Sequence, residues 1–131
     1  MNIIEQHRRI PRWSLTAIVV IAILLLTLLP GDDLPEMPSF PFADKVGHLM
    51  MFGGLAATLL YDLSRPLRRV TWKNFLLAAA VSSLFGGCIE LLQASINTGR
   101  SPEIADFAAD VAGTIVCGLI AWPIVNYIVK R

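Results

Sequence analysis

Cysteine is scarce. Cys88 and Cys117 are the two in 131 residues, both inside apolar runs, which is too few for a disulfide framework or a zinc site. They read as small apolar core residues. Also missing are a nucleophile elbow, a glycine-rich phosphate loop and any zinc-spaced cluster, so no common catalytic signature assigns an activity. Charge is absent from two long stretches, residues 13–29 and 111–129. A soluble domain of this length covers its surface with polar side chains. Here 55% of residues are hydrophobic, the mean hydropathy is +0.62, and the apolar residues come in blocks. Runs of that length cross a hydrocarbon core as helices, at ~1.5 Å per residue.

Arg8, Arg9 and Arg12 precede the first run as they would in a signal peptide. The run is longer than a usual h-region, however, and Leu28-Leu29-Pro30-Gly31-Asp32 offers no small-x-small cleavage site. A retained helix is expected. Arg8-Arg9 also lacks the neighbours of a twin-arginine export signal.

Hydropathy places spans at about 13–29, 44–61, 74–96 and 103–128. Gly47, Gly53, Gly54, Gly86 and Gly87 thin the second and third, and Pro123 lies near the end of the fourth; both residue types are tolerated in spanning helices. The connections alternate in charge. With four spans, Arg8, Arg9, Arg12, Arg65, Arg68, Arg69, Lys73, Lys130 and Arg131, nine of the eleven basic residues, fall on one side. Trp13, Trp72, Trp122 and Tyr127 lie near span ends on that same side, as interfacial aromatics do. The positive-inside rule assigns it to the cytoplasm. The expectation is an all-α polytopic membrane protein: one four-helix membrane domain over residues 1–131, in the bacterial cytoplasmic (inner) membrane, multi-pass, with both termini cytoplasmic. The proline- and acid-rich loop 30–41 reads either as a stiff solvated outer connector or as part of a binding surface.

The informative residues are those that hydrophobicity alone would exclude. Asp44, Lys45 and His48 open the second span, and a spacing of four puts Asp44 and His48 on one face, ~6 Å apart along the axis. Glu90 and Gln93 share a face near the end of the third. Asn97, Arg100, Asp106 and Asp110 follow, the last two again on one face. Ala43-Asp44 with His48 and Ala105-Asp106 with Asp110 resemble each other; a two-hairpin duplication and chance in an alanine-rich chain both explain that. With four spans, every one of these groups lies in the outer part of the membrane. Charge near mid-span costs about 2.5–3.5 kcal/mol on insertion scales. Glu90 sits ~9 Å from its expected helix end and Asp110 a similar distance from its start. Duller readings stand beside the functional one: Asp44 and Asp106 as helix caps, Lys45 reaching outer headgroups, and His48 as a hydrogen-bonding residue only.

At these positions the chain resembles the VanZ-like family. The carrying pieces are Asp44-Lys45-Val46-Gly47-His48 with Phe52 after it, Glu90-Leu91-Leu92-Gln93, and then Arg100, Asp106, Asp110 and Gly113. They match a D-K-x-x-H opening, an E-x-x-Q helix end and an R…D-x-x-x-[ND]-x-x-G segment over roughly residues 42–120. Asp110 stands where relatives often carry asparagine, which makes the site more acidic. The resemblance implies an integral membrane protein of the bacterial cell envelope. The family's namesake is associated with low-level resistance to the glycopeptide antibiotic teicoplanin.

Three functions are compatible with this pattern. The first is an outward-facing site that recognises or modifies an envelope lipid or lipid-linked cell-wall component. There His48 and Glu90 would exchange protons as catalytic residues. Asp44, Lys45, Gln93, Arg100, Asp106 and Asp110 would bind substrate, with Lys45 and Arg100 holding a phosphate or carboxylate. Asp106 and Asp110 would orient these groups or, as a secondary version, hold a divalent cation through oxygen. The second is a noncatalytic scaffold that binds partner proteins, its polar cluster a structural clasp. The third is a proton-coupled transporter. Enzyme status stays open. No resident metal, cofactor or nucleic-acid partner is expected, and four short helices leave room for a homo-oligomer.

Overall fold

Proline punctuates the first helix. The computed structural model describes residues 6, 9–30, 33, 36, 40–96 and 103–131. A residue before proline is pushed out of the helical region, and Leu29, just before Pro30, is extended (φ −69°, ψ 147°), ending α1 (Ser14–Leu28). The others are α2 (Ala43–Ser64), α3 (Trp72–Ser95) and α4 (Ile104–Lys130). The described residues are therefore all-helical, with four helices and no strand. The helix ends fall within three residues of the spans read from hydropathy. Helices α2, α3 and α4, of 22, 24 and 27 residues, are long and apolar enough to cross a membrane. At 15 residues α1 is slightly shorter than the span expected at 13–29, and ~1.5 Å per residue carries it about three-quarters of the way across a hydrocarbon core of about 30 Å.

The helices run alternately up and down, which their cross-links make plain. One end is basic. There Arg12 Nε donates to the Asp62 carbonyl (3.2 Å), Arg65 Nη1 to the Ile10 carbonyl (3.0 Å) and Arg68 Nη2 to the carbonyls of Lys130 and Arg131 (3.0 and 3.1 Å). Trp72, Phe75 and Trp122 stack edge-on or tilted at the same end, with centroids 4.6–5.7 Å apart. At the other end Gln93 Nε2 of α3 donates to the Thr27 carbonyl of α1 (2.8 Å).

Asp62 ties α1 to the rest of the bundle. Trp13 precedes α1 in the left-handed region (φ 71°) and has no side chain positioned to cap the helix. A carboxylate from another helix takes that role: Asp62, 1% exposed, accepts from the Trp13 amide (3.1 Å) and the Thr16 hydroxyl (2.6 Å). A negative charge at a helix N-terminus also meets the positive end of the dipole.

The core is apolar and the rim is too. Phe52, Leu55, Leu60 and Ile89 are sealed between the helices, while Leu84 and Leu91 (70% and 71% exposed) and Ile18 and Ile120 (62% and 63%) face outward. Soluble proteins rarely show so continuous an apolar surface. Helix α2 is central and crosses α4 nearly backbone to backbone. A Cβ on Gly113 would collide with the backbone of Leu49, and one on Gly53 with the Cys117 side chain. On α3, a Cβ on Gly86 would lie 2.7 Å from an Asp110 carboxylate oxygen. Small residues are what let helices in lipid approach this closely.

Two substitution sets test this account. Asp62→Ala is expected to cost about 2–3 kcal/mol, because it removes a cap and a charge-assisted hydrogen bond together; Thr16→Val, which leaves the amide bond intact, costs about 1 kcal/mol. Gly113→Ala should destabilise by about 1–3 kcal/mol through overpacking against backbone. Gly54→Ala, with nothing within 4 Å of its Cβ, should be neutral or slightly stabilising. Melting curves in detergent rank all four.

Candidate functional site: a buried acidic cluster

The end opposite the arginines gathers the start of α2, the end of α3 and the start of α4. A buried stripe on α4 comprises Asp106, Asp110, Gly113, Thr114 and Gly118, and it faces α2 through Asp110 and Gly113 and α3 through Thr114 and Gly118. The acids therefore point inward because they occupy core positions of their helix.

The cluster is graded from surface to interior. At the rim, Asp44 and Glu103 have half-exposed side chains (53% each). Lys45 bridges them, its Nζ lying 3.1 Å from Asp44, 3.0 Å from Glu103 and 3.3 Å from Asp106. Exposed pairs of this kind contribute at most about 1 kcal/mol each. Deeper lies His48, stacked on Phe52 one turn along α2. Its Nδ1 is 2.9 Å from Asp110 Oδ1 and 3.9 Å from Glu90 Oε1, and its Nε2 is 3.9 Å from Asp106 Oδ2. Asp110 is fully buried, so removing His48 leaves an uncompensated charge, a change that costs about 3–5 kcal/mol in comparable buried pairs. An ionised Asp110 only accepts, so Nδ1 carries the proton of that bond; in the neutral imidazole Nε2 then has the lone pair. Glu90 is different again. Both its carboxylate oxygens are buried without a hydrogen-bond partner among the described residues, as is Asp110 Oδ2.

The fold thus brings together Asp44, Lys45, His48, Glu90, Asp106 and Asp110. Gln93 stands apart, its amide nitrogen committed to α1. Arg100 and Asn97 lie outside the described residues. The capping alternative for the aspartates is corrected: the N-cap positions are Phe42 and Glu103, neither with a side-chain cap, and Asp44 and Asp106 sit inside the first turns. Glu103 is the residue that sequence reasoning passed over as a turn charge. Its signal was the i, i+3 spacing to Asp106, which puts both on one helical face. Lys45 has its ammonium engaged by three carboxylates, so the phosphate-holding role expected of it is already occupied by protein. No ligand set is readable from the spacing, yet proximity makes two: His48, Glu90 and Asp106, and Asp44, Glu103 and Asp106, each offer ligand atoms within 4.8 Å of one another.

An apolar groove of about 920 Å³ runs between α3 and α4, lined by Leu84, Gly87, Cys88, Leu91, Ile104 and Phe107. Glu90 and Glu103 line it as well, so the groove opens onto the acidic cluster.

No curated protein and no solved structure matches the chain. A family model described as VanZ/LLP1 matches residues 3–126, a stretch that includes every helix carrying the cluster. Three apolar membrane-length helices, an acidic cluster built from the D-K-x-x-H, E-x-x-Q and D-x-x-x-D pieces, and a match over nearly the whole length lead to one assignment: the chain belongs to the VanZ/LLP1 family and is a VanZ-like membrane protein.

Proposed function

We propose that the acidic end is an outward-facing binding site for an envelope lipid or lipid-linked cell-wall component. The observation that carries this is the continuity of groove and cluster through Glu90 and Glu103, residues that belong to both. An acyl or isoprenoid chain fits an apolar trough open along one side, and its head would reach the carboxylates. The orientation rests on charge: the arginines at the opposite end favour the cytoplasm of a bacterial inner membrane. Because the described cluster has five carboxylates, of Asp44, Glu90, Glu103, Asp106 and Asp110, around one lysine and one histidine, it is rich in acceptors. A head that supplies donors, an ammonium or sugar hydroxyls, matches it better than a bare phosphate. In a catalytic version His48 and Glu90 exchange the proton. A part in teicoplanin resistance follows if the component bound is one on which the antibiotic acts.

The clasp reading has one observation in its favour: Lys45–Asp106 and His48–Asp110 tie α2 to α4. Transport has less. Toward the basic end the cluster is succeeded by Ser82, Ser83 and Thr114, whose hydroxyls bond within the bundle, and then by the apolar layer of Leu59, Leu60, Phe75 and Val125.

Glu90→Gln separates site from clasp. A carboxylate kept buried without a partner for function is a stability cost, so the amide should raise stability by about 1–3 kcal/mol. It should at the same time fail to restore the lipid and wall-precursor profile, or the teicoplanin sensitivity, of a deletion strain. Full restoration by this variant sinks the site reading, and lowered abundance favours the clasp. Gly87→Leu probes the groove: the space beside Gly87 is bounded by the Phe107 ring, 3.4 Å from a built Cβ, and the larger side chain should reduce co-purifying lipid about fivefold or more in native mass spectra, since a filled pocket loses buried ligand area.

A further inference from the structure

Glu90 is largely buried, and the nearest described basic group, the His48 ring, lies 3.9 Å from it, beyond hydrogen-bond reach. Neither oxygen has a hydrogen-bond partner among the described residues, and a carboxylate in that position favours a cation beside it. The two acidic triads differ in this respect. Asp44, Glu103 and Asp106 already surround the Lys45 ammonium, which bonds to each of them. The second triad, His48, Glu90 and Asp106, presents ligand atoms within 4.8 Å of one another; it shares Asp106 with the first, but Lys45 takes Oδ1 of that residue and Oδ2 is the oxygen near the His48 ring.

The histidine is set up for a metal. Its Nδ1 lies 2.9 Å from Asp110 Oδ1, the carboxylate-to-imidazole bond that fixes the tautomer and orientation of a metal-bound histidine and leaves the other nitrogen's lone pair free. That nitrogen, Nε2, is 3.9 Å from Asp106 Oδ2. Ligand atoms on one ion with bonds of about 2.1 Å lie about 3–3.5 Å apart, so Asp106 needs only a small rotation toward Nε2, while Glu90, whose Oε1 lies 3.9 Å from Nδ1, has to turn its carboxylate to the Nε2 side of the ring. Gly86 lets α3 lie close to Asp110, since a Cβ there would press on the carboxylate that meets the imidazole.

We propose that His48, Glu90 and Asp106 form a divalent-cation site, with Asp110 as the positioning residue that orients the imidazole. One nitrogen and two oxygens suit Mn2+ or Zn2+, whereas Ca2+ and Mg2+ favour oxygen-only shells. The site stands whichever molecule occupies the groove. Should a lipid lie there, the ion would turn an acceptor-rich pocket into one that also takes a phosphate.

The full chain, purified in detergent and stripped with a chelator, is titrated with Mn2+ and followed by electron paramagnetic resonance, with Zn2+ uptake read by elemental analysis. The expected stoichiometry is about one ion per chain, with nitrogen hyperfine coupling on bound Mn2+ from the imidazole. His48→Gln removes that coupling, and His48→Gln and Glu90→Gln each weaken binding at least about tenfold, while Asp110→Asn weakens it about 10–100-fold. Glu103→Gln, confined to the lysine-filled triad, retains the ion. Circular dichroism and gel filtration confirm that each variant is folded, and the wild-type coupling decides the matter should His48→Gln not fold. A folded wild-type protein that takes up less than about 0.2 ion per chain overturns the proposal. So does bound Mn2+ without nitrogen coupling, or binding that is lost in Glu103→Gln and kept in His48→Gln.

Discussion

The contact between the Gly113 Cα and the backbone of Leu49 sets the rest of the structure. No hydrophobic force draws two helices together in lipid, so close approach has to come from small residues and from polar ties. At this crossing the missing side chain brings α4 onto α2 at the level of His48. Asp110, one turn before Gly113, then meets the imidazole at 2.9 Å, and Asp106, another turn back, meets Lys45. A bulkier residue at position 113 would move apart the very atoms that make the cluster. Stability and site geometry therefore rest on the same glycine.

The two ends of the bundle solve opposite electrostatic problems. At the basic end Asp62 is a buried acid with its needs met: an amide, a hydroxyl and the N-terminus of α1 face its two oxygens. At the acidic end Glu90 has the same chemistry, but among the described residues neither of its oxygens has a hydrogen-bond partner and the His48 ring lies 3.9 Å away. Buried polar groups tolerated at a cost concentrate where something else is to be bound.

Much of this was legible from residue order. Charge-free runs and alternating connections give the all-helical class and the four helices, because both follow from the cost of charge in hydrocarbon. The facing of Asp44 with His48 and of Asp106 with Asp110 follows from the helical period alone. What escaped depends on which faces meet. Asp62 reads as a counter-charge to loop arginines until α1 is seen to start on it. Glu103 reads as a turn residue until Lys45 reaches across to it. Gln93 shares a motif with Glu90 yet bonds to the Thr27 carbonyl of α1, a neighbour that spacing within α3 does not reveal. The extent of α1 was legible as well, because Pro30 ends the helix where the apolar run itself ends.

The apolar groove gives the unmet acid its context. A cleft between α3 and α4 with nothing polar in it would be an ordinary seam for lipid tails. A buried acidic cluster without a cleft would be a clasp. Glu90 belongs to both: its stem lines the groove and its carboxylate lies 3.9 Å from His48. Water entering along an apolar trough cannot hydrate that carboxylate as well as bulk solvent does, so the charge keeps its pull on whatever enters. An arriving head that brings a cation or strong donors gains more there than at the exposed rim, where Asp44 and Glu103 are already screened by water and by Lys45. Selectivity then comes from depth: a ligand must offer an apolar chain to lie in the trough and a donor-bearing head to reach the acid, and one with only half of that pair forfeits the stronger contact.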